Sequence, residues 1–482
     1  MAGGAGAARG PVRVSLLPAD AAFAEALAGE LPGGTLAPAE ARHNEEQRRL
    51  ATGTAEWVAR PRSTDEVARI VGRCAADGVA VIPYGGGTGL VGGHVSDRPA
   101  LLLSLERMDA VRAVRPLENV VEVEAGCVLA DVQAAAAEAG RLFPLSLASE
   151  GSARIGGLMA TNAGGVGVLR YGNMRDLVLG VEAVLPDGSV MRGAHRLRKA
   201  NMGYDLRHLL VGAEGTLGVI CAASLRLAPR PADMAAAMLA VPSPRAALEL
   251  LALARDRVGE AVSAFELIDG TGLRMLAETM PELRQPLEGP PAWSVLIDLG
   301  LAHGAAADAL EDVAAAGMEA GLVTGGVVGR SGRERAEFWA VREGIPEANR
   351  RIGAVASHDV SVPLTAVPDL IGRGGEAAAR IAEVRINAFG HVGDGNLHYN
   401  FYPVPGRDRA DYAGVREALT RAVHDLVHAL GGAISAEHGI GRFKAAELAR
   451  YGDPAALAAM RAIKAALDPK GIMNPGAVLA AP

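Results

Sequence analysis

Residues 390–400 read Gly-His-Val-Gly-Asp-Gly-Asn-Leu-His-Tyr-Asn, and further on the chain offers Glu437-His438 within Ser-Ala-Glu-His-Gly-Ile-Gly. His391 and His398 are an odd number of positions apart, so on one straight strand they would point to opposite faces. They converge only if the chain turns between them. Gly393-Asp394-Gly395-Asn396 supplies such a turn, because Asp-Gly and Gly-Asn pairs tolerate positive φ and join two strands into a hairpin. His398 and Asn400 then share one face of the return strand. Two imidazoles with a carboxylate suit a divalent metal that keeps one position open for substrate, the arrangement of a catalytic rather than a structural site.

At 482 residues the chain is too long for one core, and two or three domains are expected. No run of about 18 residues lacks polar or charged side chains, so a membrane-spanning helix is not expected. The start, Met-Ala-Gly-Gly-Ala-Gly-Ala-Ala-Arg-Gly, lacks the apolar stretch of a signal peptide and reads as a frayed terminus. A cytoplasmic location follows, with peripheral membrane association left open. The net charge of −7, without long single-sign blocks, argues against nucleic acid as a partner. Cys74, Cys127 and Cys221 are odd in number and widely spaced, which fits a reducing compartment and excludes a cysteine-ligated cluster.

Ser63-Thr64-Asp65-Glu66 has capping-box spacing before an apolar-periodic run to Ala76, and Gly78 closes that helix. Strands are expected at 79–84, 101–105 and 120–123, a helix at 129–138, and a hairpin around Pro186-Asp187-Gly188. Ala-Pro-Arg-Pro ends this first unit near residue 231. From Met238 strands alternate with amphipathic helices at about 244–255, 305–320 and 334–351, which suggests a sheet with helices on one face. After the histidine hairpin, helices are expected at about 411–430 and 454–467.

The stretch Tyr84-Gly-Gly-Gly-Thr-Gly-Leu-Val-Gly-Gly93 follows a strand and satisfies a dinucleotide fingerprint through Gly87, Gly89 and Gly92. A Rossmann fold would need a helix to open at the third glycine, and here a turn follows instead. What remains is backbone free of side chains whose N–H groups can close on a pyrophosphate. Two further stretches, 151–165 and 212–220, add to it, and together the three can envelop an extended dinucleotide.

In these motifs the chain resembles the flavoenzymes of the vanillyl-alcohol oxidase superfamily. The match runs from Pro61-Arg-Ser-Thr-Asp-Glu-Val to Leu467-Asp-Pro-Lys-Gly-Ile-Met-Asn-Pro-Gly. Within the superfamily, His391-x-Gly-Asp-Gly-Asn-x-His398 followed by Glu437-His438-Gly-Ile-Gly is similar to the metal-dependent D-2-hydroxyacid dehydrogenase branch, which includes D-lactate, D-2-hydroxyglutarate and glycolate enzymes. The resemblance implies an α+β protein: an N-terminal helical or extended segment (1–50), an FAD-binding domain of two α+β subdomains (51–231), and a C-terminal substrate domain with an antiparallel sheet and a terminal helical segment (232–482). It assigns FAD to Pro83, Gly85, Gly86, Gly87, Thr88, Gly89, Gly151, Ser152, Ile155, Gly156, Gly157, Thr161, Asn162, Gly164, Gly165, Glu214, Gly218, Ile220 and Asn474. Thr88 stands where relatives with covalent flavin have a histidine, and His94 lies beyond the second glycine pair, so noncovalent FAD is expected.

The same resemblance makes His391, His398 and Glu437 ligands of a divalent metal, zinc first, with manganese or iron as alternatives. His438 is the candidate base, Arg342 the clamp for the carboxylate of a small 2-hydroxy acid, and Asn400 a contact to substrate or metal shell. Electrons would leave to an external acceptor, an electron-transfer flavoprotein, a quinone or a cytochrome; a homodimer is possible. Similar 2-hydroxyglutarate enzymes carry Thr where this chain has Pro346, and Lys where it has Ser357. Losing both partners leaves a distal carboxylate unpaired in a closed pocket, so a D-2-hydroxymonocarboxylate is expected to be preferred to D-2-hydroxyglutarate. Other readings stay open at this point: an FAD subunit of a glycolate-oxidase-like complex, an oxidase using dioxygen, and a zinc hydrolase, the last of which leaves the glycine stretches unexplained.

Overall fold

The computed structural model describes residues 16–480, so the frayed start expected at 1–10 lies outside the described residues. The helix Thr64–Asp77 starts where Ser63 accepts the Glu66 N–H and ends at Gly78 with φ +72°, as its capping residues require. It packs beside a four-stranded sheet in the order Leu36–Pro38, Trp57–Ala59, Leu101–Ser104, Val81–Tyr84, whose last three strands are parallel. A second, antiparallel sheet follows the order Val111–Arg115, Val120–Glu124, Val219–Arg226, Val178–Val184, Val190–Gly193. These sheets are the two α+β layers expected of the first unit.

The remaining chain builds an antiparallel sheet in the order Val262–Asp269, Trp293–Leu301, Asp233–Val241, Gly325–Val328. Helices cover both of its faces, not one. Ala235, Ala237 and Leu239 point into a core with the helices Pro244–Val258 and Ala306–Glu319, whereas Ala236 and Met238 point into a core with Gly270–Thr279 and Gly332–Ile352. A strand buried on both sides reads as a continuous apolar run, so the sequence carries no alternation to reveal the second layer. The helices Gly270–Thr279 and Val367–Ala379 escape a sequence reading for a different reason. Gly270 and Gly272, and Gly372, Gly374 and Gly375, break the helical signal that their apolar residues carry.

A three-stranded sheet, Asp359–Ser361, Asn396–Tyr402, Arg385–Phe389, holds the histidine hairpin. It joins the larger sheet through Leu267 and Gly390, which exchange both backbone hydrogen bonds at 2.9 and 3.0 Å. After the last helix, Pro454–Leu467, the tail returns to the first unit. Ile472 and Met473 are fully buried in its core, and the Val81 N–H donates to the Ile472 carbonyl. Among the described residues no helix is long and apolar enough to cross a membrane.

Candidate active site

The glycine stretches, distant in sequence, meet in space. A Cβ on Gly86 would lie 2.1 Å from the Ser152 carbonyl oxygen, and one on Gly165 2.1 Å from that of Ser146. Gly85 lies against Gly157, Gly215 against Pro83, and the N–H groups of Gly212 and Glu214 donate to Met159 and Ala160. Only residues without side chains allow backbones to approach so closely. Ile155, Gly156 and Gly157 open the short helix Ile155–Ala160, with Thr161 at its end, and Asn162 (φ +52°) turns the chain away to Gly164. Ile220 lies in the strand that follows Gly218 (φ +155°), and Gly151 with Ser152 forms the turn before Ile155. Among the described residues, no backbone N–H from Gly86 to Gly93 hydrogen-bonds to the protein. A run of unused donors on partly buried backbone, Thr88 and Gly89 included, fits the pyrophosphate of FAD.

His94 is buried edge-on against Tyr84, with Nε2 3.0 Å from the Glu45 carbonyl oxygen. Two other assigned residues spend their side chains on protein. Asn474 donates to the carbonyls of Gly93 and Glu214, and Glu214 accepts the N–H groups of Ile440 and Gly441 at 2.7 Å each.

The hairpin places the histidines together. His391 Nε2 lies 3.5 Å from Glu437 Oε1, and His398 Nε2 lies 3.8 Å from Glu437 Oε2. One donor atom from each of these three residues falls within 4.8 Å of the others. Two imidazole nitrogens and a carboxylate fit a divalent cation of the zinc, manganese or iron type, and the set leaves coordination positions for substrate. A Cβ on Gly164 would come within 3.6 Å of Glu437 Oε1, so the flavin-side loop borders this cluster.

Two acids that the sequence reading missed complete the site. Because Leu267 pairs antiparallel with Gly390, Glu266 stands opposite His391. Its Oε1 lies 2.6 Å from His391 Nδ1, and its Oε2 accepts from Arg342 Nε at 2.8 Å. Burial alone would raise the Glu266 carboxyl, but His391 and Arg342 outweigh it and hold it down at about 2. Burial likewise opposes charge on His391, and Glu266 reverses that, lifting the imidazole to about 9. Arg342 lies over the Phe389 ring, with its Cζ 5.0 Å from the centroid. Its terminal nitrogens bond no described residue, so they remain donors for a carboxylate.

Asp359 is the second missed acid, set opposite His398 by strand register. Its Oδ2 accepts the backbone N–H groups of Glu437 and His438, each at 3.0 Å, and lies 3.2 Å from His438 Nδ1. Burial lowers His438 to about 4; Asp359 opposes this and the cations Lys444 and Arg48 reinforce it. An imidazole neutral at physiological pH, with Nδ1 turned toward Asp359, leaves Nε2 as a base. Asn400 is buried, accepts the His358 N–H with Oδ1 at 2.9 Å, and its side chain also meets the Tyr402 hydroxyl. Pro346 and Ser357 are both exposed. Signals exist in the sequence for both: Glu266 is an acid in the middle of the apolar run Val262–Asp269, and Asp359 lies within the strand expected at 358–362.

Comparison with known proteins identifies the family of the chain. Residues 55–194 match the FAD binding domain model and residues 230–478 match the model of FAD linked oxidases, C-terminal domain. The fold is that of p-cresol methylhydroxylase, solved with substrate bound, at a TM-score of 0.75 and 15% identity over 97% of this chain and 99% of that one. It is thus a flavoprotein fold of the vanillyl-alcohol oxidase type. The bovine mitochondrial D-2-hydroxyglutarate dehydrogenase is 39% identical over 89% of this chain and 77% of its own length. The D-2-hydroxyglutarate dehydrogenase of Xanthomonas citri pv. viticola is 36% identical over 87% of this chain and 88% of its own. The chain belongs to the FAD-linked oxidase family, in the company of the D-2-hydroxyglutarate dehydrogenases.

Proposed function

We propose that the chain is an FAD- and metal-dependent dehydrogenase that oxidises a D-2-hydroxy acid to its 2-oxo acid. The observation that carries this reading is the meeting of His391, His398 and Glu437 beside the Gly164 loop, with His438 and Arg342 held at the same cluster by Asp359 and Glu266. When bound, FAD supplies a two-electron acceptor at N5, and a divalent cation, zinc by preference, supplies Lewis acidity. Arg342 pairs the substrate carboxylate through its terminal nitrogens, and the Asn400 amide donates beside it. His438 Nε2 takes the hydroxyl proton as the carbon gives up its hydride, and Asp359 steadies the imidazolium that results. The reduced enzyme passes its electrons to an external acceptor, an electron-transfer flavoprotein, a quinone or a cytochrome.

The division of labour is 51–231 for FAD and 232–482 for metal and substrate, with Ile472–Asn474 packed back against the first unit and 1–50 leading into it. Flavin is held without a covalent bond, since Thr88 offers no imidazole and His94 is engaged with Glu45.

The relatives' names make D-2-hydroxyglutarate the first substrate to test. The monocarboxylate expectation assumed a closed pocket around the missing Thr and Lys. Pro346 and Ser357 are exposed, so a distal carboxylate near them keeps its hydration and the penalty shrinks. A shorter D-2-hydroxymonocarboxylate is the second reading, supported by the same two residues because neither offers a charged partner.

The test is anaerobic bleaching of the flavin by a panel of D- and L-2-hydroxy acids, with and without a chelator. Bleaching by D-acids that a chelator blocks and zinc restores supports the proposal. Bleaching that ignores the chelator rejects the metal, and no bleaching by any 2-hydroxy acid rejects the reaction.

A further inference from the structure

We infer that Glu214 is a positioning residue: its carboxylate fastens the metal-ligand loop, Glu437–Gly441, to the flavin-binding unit. The inference rests on the metal and flavin reading above. Its basis is a contact across 226 and 227 positions of chain, in which Oε1 accepts the Ile440 N–H and Oε2 the Gly441 N–H, both at 2.7 Å. A carboxylate shared between two backbone donors is a strong, directional attachment. It is also buried, and burial raises its pKa, so its cost is borne only where those donors are in place.

The loop is shaped for this carboxylate. A Cβ on Gly439 would lie 2.8 Å from Glu214 Oε1, and one on Gly441 2.1 Å from the Val91 carbonyl oxygen. Glycine at both positions lets the loop reach the flavin side. Glu214 itself sits at φ +50°, a left-handed conformation that a non-glycine residue adopts at a cost of about 1 kcal/mol or more. The carboxylate lies at the edge of the glycine loop, with Oε2 3.8 Å from where a Cβ on Gly93 would stand, and both of its oxygens are spent on backbone of the opposite unit. Arg442 strengthens the same seam by donating to the carbonyls of Gly92 and Gly93 and to Asn474 Oδ1. The loop is thus held at both ends, by Asp359 at Glu437 and His438 within its own unit and by Glu214 at Ile440 and Gly441 from the other.

The left-handed φ makes Glu214→Gly the informative variant, because glycine relaxes the backbone while removing the clamp. Full-length wild type, Glu214→Gly and Glu214→Gln are compared for flavin content, thermal midpoint, zinc affinity by competition with a chromophoric chelator, and amide hydrogen exchange. The expected result is flavin content and midpoint near wild type, zinc binding weakened about 10-fold or more in Glu214→Gly, and faster exchange at Ile440 and Gly441. Glu214→Gln, which keeps one acceptor oxygen, should fall between. Unchanged zinc affinity together with unchanged exchange overturns the inference. Loss of flavin with zinc affinity and exchange intact also overturns it and returns Glu214 to flavin binding. If wild type binds no zinc, the metal reading fails, and exchange at Ile440 and Gly441 decides the clamp alone.

Discussion

Glu266 Oε1 lies 2.6 Å from His391 Nδ1, a carboxylate and an imidazole brought face to face by the backbone pair Leu267 and Gly390. Its other oxygen holds Arg342 Nε, so one buried acid orients both a candidate ligand and the candidate carboxylate clamp. Glu266→Gln should lower zinc affinity about 10- to 100-fold and raise KM for every hydroxy acid, with flavin content unchanged. Glu266→Ala should be worse, destabilising the fold by about 3 kcal/mol as it strands a buried guanidinium. Chelator competition and steady-state kinetics test this, and a kcat-only defect would contradict it.

His391→Ala and Glu437→Ala should abolish turnover while leaving the flavin absorbance, because the three candidate ligands come from the C-terminal unit and the glycine loops from the other. Chelation of wild type should do the same, and added zinc should reverse it. Activity that survives rigorous metal removal would end the metal assignment.

Acid precipitation should release all the flavin into the supernatant. His94 is held by the Glu45 carbonyl and Tyr84, and Thr88 supplies no nucleophilic ring. Yellow colour that stays in the pellet would show a covalent bond.

Arg342→Ala should raise KM for mono- and dicarboxylates alike, about 100-fold for loss of a bidentate charged pair. Ser357→Lys should improve kcat/KM for D-2-hydroxyglutarate and leave D-lactate unchanged. A uniform effect of Ser357→Lys on both acids would place residue 357 away from the distal carboxylate. Arg48, whose charge reaches His438 and Asp359, is then the next cation to replace with alanine.

His358 predicts an acid sensitivity unrelated to catalysis. Burial lowers it from the ordinary 6.5 to about 3, with Nδ1 2.6 Å from the Tyr399 carbonyl oxygen. The unfolded chain binds this proton first, so the stabilisation is complete above about pH 6.5 and declines as pH falls toward 3. Between pH 6.5 and pH 5 the loss is about 2 kcal/mol from this residue. Urea unfolding at the two pH values should show His358→Gln flattening that slope; an equal slope in both proteins would refute the assignment.

The chain sequence by itself determined the turn between His391 and His398, the helices that begin at Ser63 and Pro454, and the glycine backbone that a pyrophosphate needs. Each of these depends on residues within a turn or two of one another, where periodicity, capping and positive φ act. Tertiary structure alone decided which acid stands behind which histidine. Glu266 and His391 meet because segments more than a hundred residues apart pair through backbone hydrogen bonds between Leu267 and Gly390, and Asp359 reaches Glu437 and His438 by the same kind of non-local register. The same holds for Glu214, whose neighbours in sequence suggest a flavin contact while its carboxylate is spent on a loop from the far end of the chain. Local sequence sets conformations and supplies donor atoms; which of them become neighbours depends on how sheets register and units dock, and no short-range pattern encodes that.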